Sequence, residues 1–449
     1  MILIPLNWIQ FYGDVPTSKT ASEHSYFERL PMKRFEDLIW PSAEMTRIPF
    51  LAYHEPEIYV QEQERIFRGK TWNYLALEVE LPAPGSFLTT YVGDTPIIVN
   101  RDGEGLVHAF VNRCAHRGAT VRREAHGTAN EHICCYHQWT YDLKGQLMGI
   151  PFQRGVKGKG GMPADFDKKK HCLKKLTVQS FQGAVFGTFA DDVEPLIDYL
   201  DAPMCAQLKR LLHKPLKILG YQRQIIHGNW KLYADNLRDP NHGGLLHMFQ
   251  ITFGIARLTN WGGARMDRKH RHNISFTAES TDTLGKDDYR DTSRGDGQIQ
   301  LESPSMLHYR PEFPDQMSLS IMSLFPNVVF HQIGNSLAVR QIRTRSASEF
   351  ELYWTYYGYD DDDQSMTNHR LQQANLAGPG GYISMEDGEA IELVHRATAR
   401  EADTFSFVEI GGRGEPVDQD NLVTEVPMRG FWQSYRELMD LSPKGHAHD

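Results

Sequence analysis

Between residues 72 and about 190, short apolar runs alternate with Gly, Pro and Asp turns, as in TPIIVN at 95–100 and GAVFGT at 183–188. Runs of that length between turn signals predict a small all-β domain. Past Leu196 the period changes: residues 197–212 predict a helix, and a second helical stretch begins near Trp230. Between 317 and 359 strands return. IGNS at 333–336 reads as a hairpin turn, and Phe350, Leu352, Trp354 and Tyr356 alternate with Glu351, Tyr353 and Thr355. This predicts an antiparallel sheet packed by helices. The acids at 360–363 read as a solvated turn rather than a cation site. Residues 1–40 keep no sustained period and read as an extension without chemistry of its own.

Length and charge narrow the classes. At 449 residues the chain exceeds the size at which single cores stop growing, so two domains are expected. Its 40% hydrophobic content supports a packed core, and a net charge of -9 offers no field for a phosphate backbone. Five cysteines are too few and too unevenly spread for a disulfide framework, which predicts a reducing, cytoplasmic setting. The start MILIPLNWIQ lacks a basic leader, and no window approaches the ~18 apolar residues of a spanning helix, so neither export nor membrane insertion is predicted.

Cys114 and His116 form Cys-x-His, and Cys134 and His137 form Cys-x-x-His. Each short loop thus offers one thiolate and one imidazole, and two such loops can close on one metal centre. Structural zinc is one option, but zinc fingers keep both cysteines on one loop and both histidines on another. Mixed loops suit a two-iron cluster with two Cys on one iron and two His on the other. The pattern resembles the Rieske domain, and Tyr136, Trp139 and the Tyr141, Asp142 turn look like that family too. Cys135 falls outside the ligand pattern and reads as a small packed residue.

A second set lies at Asp239, His242 and His247. On a helix Asp239 and His242 share a face at ~60°, whereas His242 and His247 stand ~140° apart. Gly243 and Gly244 lie between them and permit a local break. Two His with one carboxylate leave open positions on non-haem iron, and SMEDGE at 384–389 offers Glu386, Asp387 and Glu389. Motifs and their order resemble the large subunits of Rieske ring-hydroxylating oxygenases, from residue 40 to about 435.

That resemblance implies an α+β chain in which a small all-β Rieske domain (72–190) precedes a helix-grip catalytic domain (191–449), with 41–71 a helical lead-in to the latter. It makes Asp387 the third iron ligand, setting aside Glu386 and Glu389, and gives Asn236 and Asp239 catalytic roles. An Asp at position 239 would bridge His242 to a cluster histidine, His137 or His116, of the next subunit. The cofactors implied are one [2Fe-2S] cluster and one mononuclear Fe(II). No Gly-rich dinucleotide fingerprint is present, so NADH-derived electrons must arrive through a separate reductase, with or without a ferredoxin. A trimer, alone or with a small beta subunit, is implied. ISMEDG at 383–388 and NWKLY at 229–233 look most like oxygenases for salicylate, anthranilate or terephthalate, with hydrocarbon oxygenases more distant. Arg suits a carboxylate by its two-point fork, and Arg310 and Arg396 are the candidates. Arg396, nine residues after Asp387, points ~180° away on a straight helix. Two other classes are a Rieske electron carrier, which needs no triad, and a zinc-stabilised binding protein.

Overall fold

The computed structural model describes residues 35–41, 44–253, 255–278 and 302–441. Most of the expected N-terminal extension therefore lies outside the described residues; its last part, Leu38 and Trp40, is buried, with Trp40 packed 5.5 Å from Trp432.

A seven-stranded antiparallel sheet joins, in spatial order, Asn73–Leu77, Ala184–Thr188, Lys175–Phe181, Val107–Val111, Thr95–Arg101, Ser86–Val92 and His126–Thr128. A three-stranded sheet, His132–Ile133, Thr140–Tyr141 and Leu147–Gly149, lies between its strands in sequence. The apolar runs at 95–100 and 183–188 thus both form strands of this sheet, as their length between turns predicts, with Lys175–Phe181 and Val107–Val111 lying between them. Ile98, Phe110, Trp139, Tyr141 and Leu147 form a small separate core beneath the two cysteine loops.

A second seven-stranded antiparallel sheet runs Leu216–Ile226, Glu349–Tyr359, Ser336–Ser346, Val328–Ile333, Leu319–Leu324, Asn273–Thr277 and Gly262–Met266. Ile333 pairs with Ser336 across the expected hairpin, where Gly334 takes φ 59°. Strand alternation sends side chains to two different cores. Ala338, Ile342, Phe350, Leu352, Trp354 and Tyr356 join the core shared with Trp230–Asn236 and Val426–Met439. Leu337, Val339, Tyr357 and Tyr359 face the other way, against helix Leu196–Leu211. That helix occupies the predicted span but breaks at Asp201 (φ 63°). Pro203 cannot donate to the turn before it, and the Asp201 carboxylate instead caps the Ala202 amide at 2.8 Å.

The acidic run is more than a solvated turn. Asp363 caps helix Gln364–Ala377 through the Met366 amide, Asp362 pairs with buried Arg370 at 2.8 Å, and Asp361 pairs with Lys214.

Two buried polar clusters lock Trp230–Asn236 in place. Glu62 of the helical lead-in pairs with Lys231 at 2.6 Å, both side chains fully buried, and accepts from Trp230 Nε1 and Tyr435 OH. Asp235 accepts from Tyr53 OH and Trp432 Nε1, each at 2.7 Å. Satisfied networks of this kind rigidify what they hold, and here they hold the helix that ends at Asn236.

Candidate metal centres and substrate cavity

The two cysteine loops share one backbone design. Cys114 N donates to Ala119 O and Gly118 N to Cys114 O; Cys134 N donates to Trp139 O and Gln138 N to Cys134 O. The fifth residue of each loop is left-handed, Gly118 at φ 77° and Gln138 at φ 56°. Each turn thus buries its Cys and lifts its His toward the surface: Cys114 and Cys134 are buried, His116 is exposed and His137 half-buried. The imidazoles meet with ring centroids 4.5 Å apart, and His116 stacks on Trp139. Tyr141 OH lies 3.2 Å from Cys114 Sγ and accepts from the Ala115 amide. Burial raises the Cys134 thiol, and partial desolvation with the neighbouring His137 and Arg117 lowers His116, a shift toward the neutral imidazole that ligates a metal.

The donor set fits two metals better than one. Among the described residues, only His242, His247 and Asp387 bring three ligand atoms within 4.8 Å of one another. Cys114, His116, Cys134 and His137 do not converge in that way, as a single tetrahedral zinc requires. Two thiolates at the base and two imidazoles at the rim suit a cluster with one iron at each end. Cys135 is exposed, not packed, because its neighbour Cys134 takes the inward position of the turn.

The triad comes from three short elements. Asn229 caps Trp230–Asn236, the chain turns, and Asp239 caps Pro240–Gly243 through the Asn241 and His242 amides at 2.9 and 3.2 Å. Asp239 is therefore a cap and not a helical-face neighbour of His242. A turn follows, and His247 immediately precedes Met248–Phe253. The expected break between the histidines is present, with rings 5.3 Å apart. It does not use a left-handed glycine: Gly244 has φ -89°, and it is needed because a Cβ there would lie 2.6 Å from Leu258 Cγ.

Asp387 comes from helix Tyr382–Thr398, and its Oδ1 lies 3.4 Å from His242 Nε2 and 3.5 Å from His247 Nε2. Asn236 Nδ2 donates to the same Oδ1 at 2.9 Å and lies 3.2 Å from His242 Nε2. Burial by itself would raise Asp387, but His247, His242 and Asn236 hold it down to about 2. Burial likewise opposes charge on His242, yet the facing carboxylate carries it up to about 9. Two imidazoles and a carboxylate aimed at one point are the donor set of a facial triad.

A cavity of about 100 Å³ opens over the triad. Leu237, Leu258, Phe276, Ile321, Ile333 and Leu422 supply apolar wall, and Asn236, Asp239, His242, His247 and Asp387 form its polar end. Neither Arg310 nor Arg396 lines it. Arg310 is exposed beside Ser365, and Arg396 is exposed on the outer face of the Asp387 helix, as its nine-residue offset dictates. The arginines at the cavity are Arg257 and Arg340. Arg340, only 5% exposed, donates to His331 Nδ1 at 2.8 Å and Tyr233 OH at 3.1 Å and lies over Trp354. Among the described residues no carboxylate pairs with it. Its sequence signal is a lone cation inside the apolar strand run LAVRQI at 337–342.

Among the described residues no helix is long and apolar enough to cross a membrane. Residues 71–160 match the Rieske [2Fe-2S] domain family, and residues 206–441 match the ring hydroxylating alpha subunit (catalytic domain) family. The chain is 46% identical to the large subunit of anthranilate 1,2-dioxygenase from Burkholderia cepacia, over 90% of this chain and 96% of that one. It is 45% identical to the terminal oxygenase component subunit alpha 2 of terephthalate 1,2-dioxygenase from Comamonas sp, over 89% and 97%. The large oxygenase component of salicylate 5-hydroxylase from Ralstonia sp is 39% identical, over 90% and 97%. Its fold matches the crystal structure of naphthalene 1,2-dioxygenase from Rhodococcus sp. with TM-score 0.72 at 22% identity, covering 88% of this chain and 94% of that one. Two metal-binding domains in this order, with relatives of this similarity along almost their whole length, show that the chain belongs to the ring-hydroxylating oxygenases as a large (alpha) subunit, the terminal oxygenase that carries a Rieske [2Fe-2S] cluster and a mononuclear iron.

Proposed function

We propose that this oxygenase hydroxylates or dihydroxylates a monocyclic aromatic carboxylate of the salicylate, anthranilate or terephthalate kind, in the catabolism of aromatic compounds. The observation that carries the reading is Arg340: a buried guanidinium, unpaired by any carboxylate among the described residues, at a small apolar cavity beside the triad. A buried cation is costly without a counter-charge, and a substrate carboxylate supplies one with two-point geometry. His331, Tyr233 and Trp354 hold the fork in place before the substrate arrives, which limits the ordering cost of binding. At about 100 Å³ the cavity is smaller than the apolar cavity of about 150 Å³ that holds benzene, which favours a single ring over a fused one.

In this reading Cys114, His116, Cys134 and His137 hold the cluster, within a Rieske domain at 72–190, and His242, His247 and Asp387 hold the iron in a catalytic domain at 191–449 that 41–71 leads into. With both groups bound, the cluster supplies single electrons and the iron supplies the open positions at which oxygen is activated. The protein's own part is positional. Asn236 fixes the Asp387 carboxylate, the apolar wall excludes water from the ring, and Arg340 sets which end of the substrate faces away from the triad. The exposed edge at His116 leaves the cluster open to a docked chain, which supports delivery of electrons from a separate reductase and NADH and their passage to a neighbouring subunit's iron through Asp239; the trimer, with or without a small beta subunit, rests on the family resemblance alone. A cytoplasmic setting accords with five unpaired cysteines.

A carrier without catalysis has no use for a buried triad under a cavity. The test is turnover of a panel of aromatic acids with a compatible reductase and NADH. Hydroxylation of salicylate, anthranilate or terephthalate is expected; activity on naphthalene or toluene with none on the acids overturns the proposal.

A further inference from the structure

We infer that Glu386 is a positioning residue for the iron site, orienting His247 from outside the ligand set; the inference rests on the reading of His247 as an iron ligand. Glu386 Oε2 accepts from His247 Nδ1 at 3.0 Å, and Oε1 lies 3.3 Å from the amide of Met248. The Nδ1 proton goes to this carboxylate, which leaves the lone pair on Nε2, the atom that faces Asp387. Glu386 lies on the far edge of the imidazole from Asp387 and is not among the three residues whose ligand atoms converge. It therefore acts through the histidine and not on the metal.

The two ligating imidazoles are supported differently. His242 Nδ1 donates to the backbone carbonyl of Asp239, three residues away in its own turn, so its support comes with the local fold. His247 follows a turn built around Gly243 and Gly244, and its support crosses to helix Tyr382–Thr398, 139 residues on. Successive residues of that helix thus supply both parts: Asp387 converges with the imidazoles, and Glu386 clamps one ring and the start of Met248–Phe253 to the same helix. An anionic partner on Nδ1 also makes the imidazole a stronger donor to a metal, and loss of such a partner costs about 10- to 100-fold in metal affinity.

The test measures Fe(II) affinity of the mononuclear site by chelator competition under anaerobic conditions, with the cluster's visible absorbance and the thermal midpoint as internal controls. Glu386→Ala is expected to weaken Fe(II) about 10- to 100-fold with the cluster spectrum unchanged. Glu386→Gln keeps an acceptor oxygen but not the charge and is expected to fall between Ala and wild type; it also serves should the Ala variant fail to fold. His247→Ala is the reference, expected to abolish binding. Wild-type affinity in Glu386→Ala and Glu386→Gln, with His247→Ala unable to bind, overturns the role of Glu386 alone. Retained binding in His247→Ala overturns the ligand assignment beneath it. Loss of cluster and of thermal stability together with iron, in both Glu386 variants, makes the contact merely structural and also overturns the inference.

Discussion

Asp239→Asn separates two roles that the structure superimposes on one side chain. The carboxylate caps Pro240–Gly243, and both capping bonds, from the Asn241 and His242 amides, fall on the same oxygen, Oδ1. Asparagine retains such an oxygen and is as good a cap as aspartate, so the change should cost no more than a few tenths of a kcal/mol. Asp239→Ala removes both bonds and should cost about 1 kcal/mol. What both variants lose is the negative charge whose second oxygen lies 3.7 Å from His242 Nδ1. If that charge connects His242 to a cluster histidine of the next subunit, turnover falls by at least the 10- to 100-fold typical of lost partners around a metal, equally in Asn and Ala. The assay is stopped-flow reoxidation of the reduced cluster on mixing with substrate and oxygen, alongside iron content. Asp239→Asn that keeps full iron and reoxidises its cluster at the wild-type rate refutes the bridge. Asp239→Asn that loses iron refutes it differently, by making Asp239 part of the iron site itself.

Arg340→Met keeps the volume but removes the buried cation, and should weaken an aromatic carboxylate by about 2–5 kcal/mol while leaving its neutral amide analogue little changed; equal affinities for the acid in variant and wild type, by substrate titration, contradict the assignment. Lys231→Met strands the Glu62 carboxylate in the core and should destabilise by about 3–5 kcal/mol in urea unfolding, whereas Lys231→Met with Glu62→Gln should recover most of the loss. His272 is fully buried, accepts from the Phe325 amide and donates to Tyr199 O, and burial lowers it to about 4. Its unfolded value near 6.5 lies higher, so the unfolded chain takes up the proton first; this contribution is fully present above pH 6.5 and is lost as the pH falls toward 4, amounting to about 3 kcal/mol. Unfolding free energies measured between pH 7 and 4.5 should fall accordingly, and His272→Gln should flatten the slope; an identical slope in the variant contradicts it.

Local pattern carried much of this architecture. The strand at 95–101, the hairpin at Gly334 and the long helix after Leu196 all follow from periodicity and turn residues that act within a few positions. The ligand residues were legible because metal chemistry restricts residue type and spacing. The cavity was not, because its residues meet through register: Arg340 lines the cavity only because strand pairing sets Ala338, Arg340 and Ile342 on the side packed by Trp230–Asn236 and Val426–Met439. An arginine chosen by closeness in sequence to Asp387, such as Arg396, falls on the opposite side of its helix. The break at Asp201 and the clamp from Glu386 to His247 depend in the same way on contacts between distant segments. The Gly243, Gly244 break was anticipated for a conformational reason, but the close approach of Leu258 is the physical one.

The central claim is that two separate residue sets hold two separate metal centres, and metal analysis of paired variants tests it most directly. Iron and acid-labile sulfide are measured per chain, with visible spectra, in anaerobically purified wild type, Cys134→Ser and Asp387→Ala. The wild type should hold about three irons and two sulfides and be red-brown. Cys134→Ser should lose the sulfide and colour, and Asp387→Ala should lose only the single mononuclear iron and stay coloured. One zinc with no iron in the wild type, or loss of both centres on changing Asp387 in a folded protein, would contradict the account.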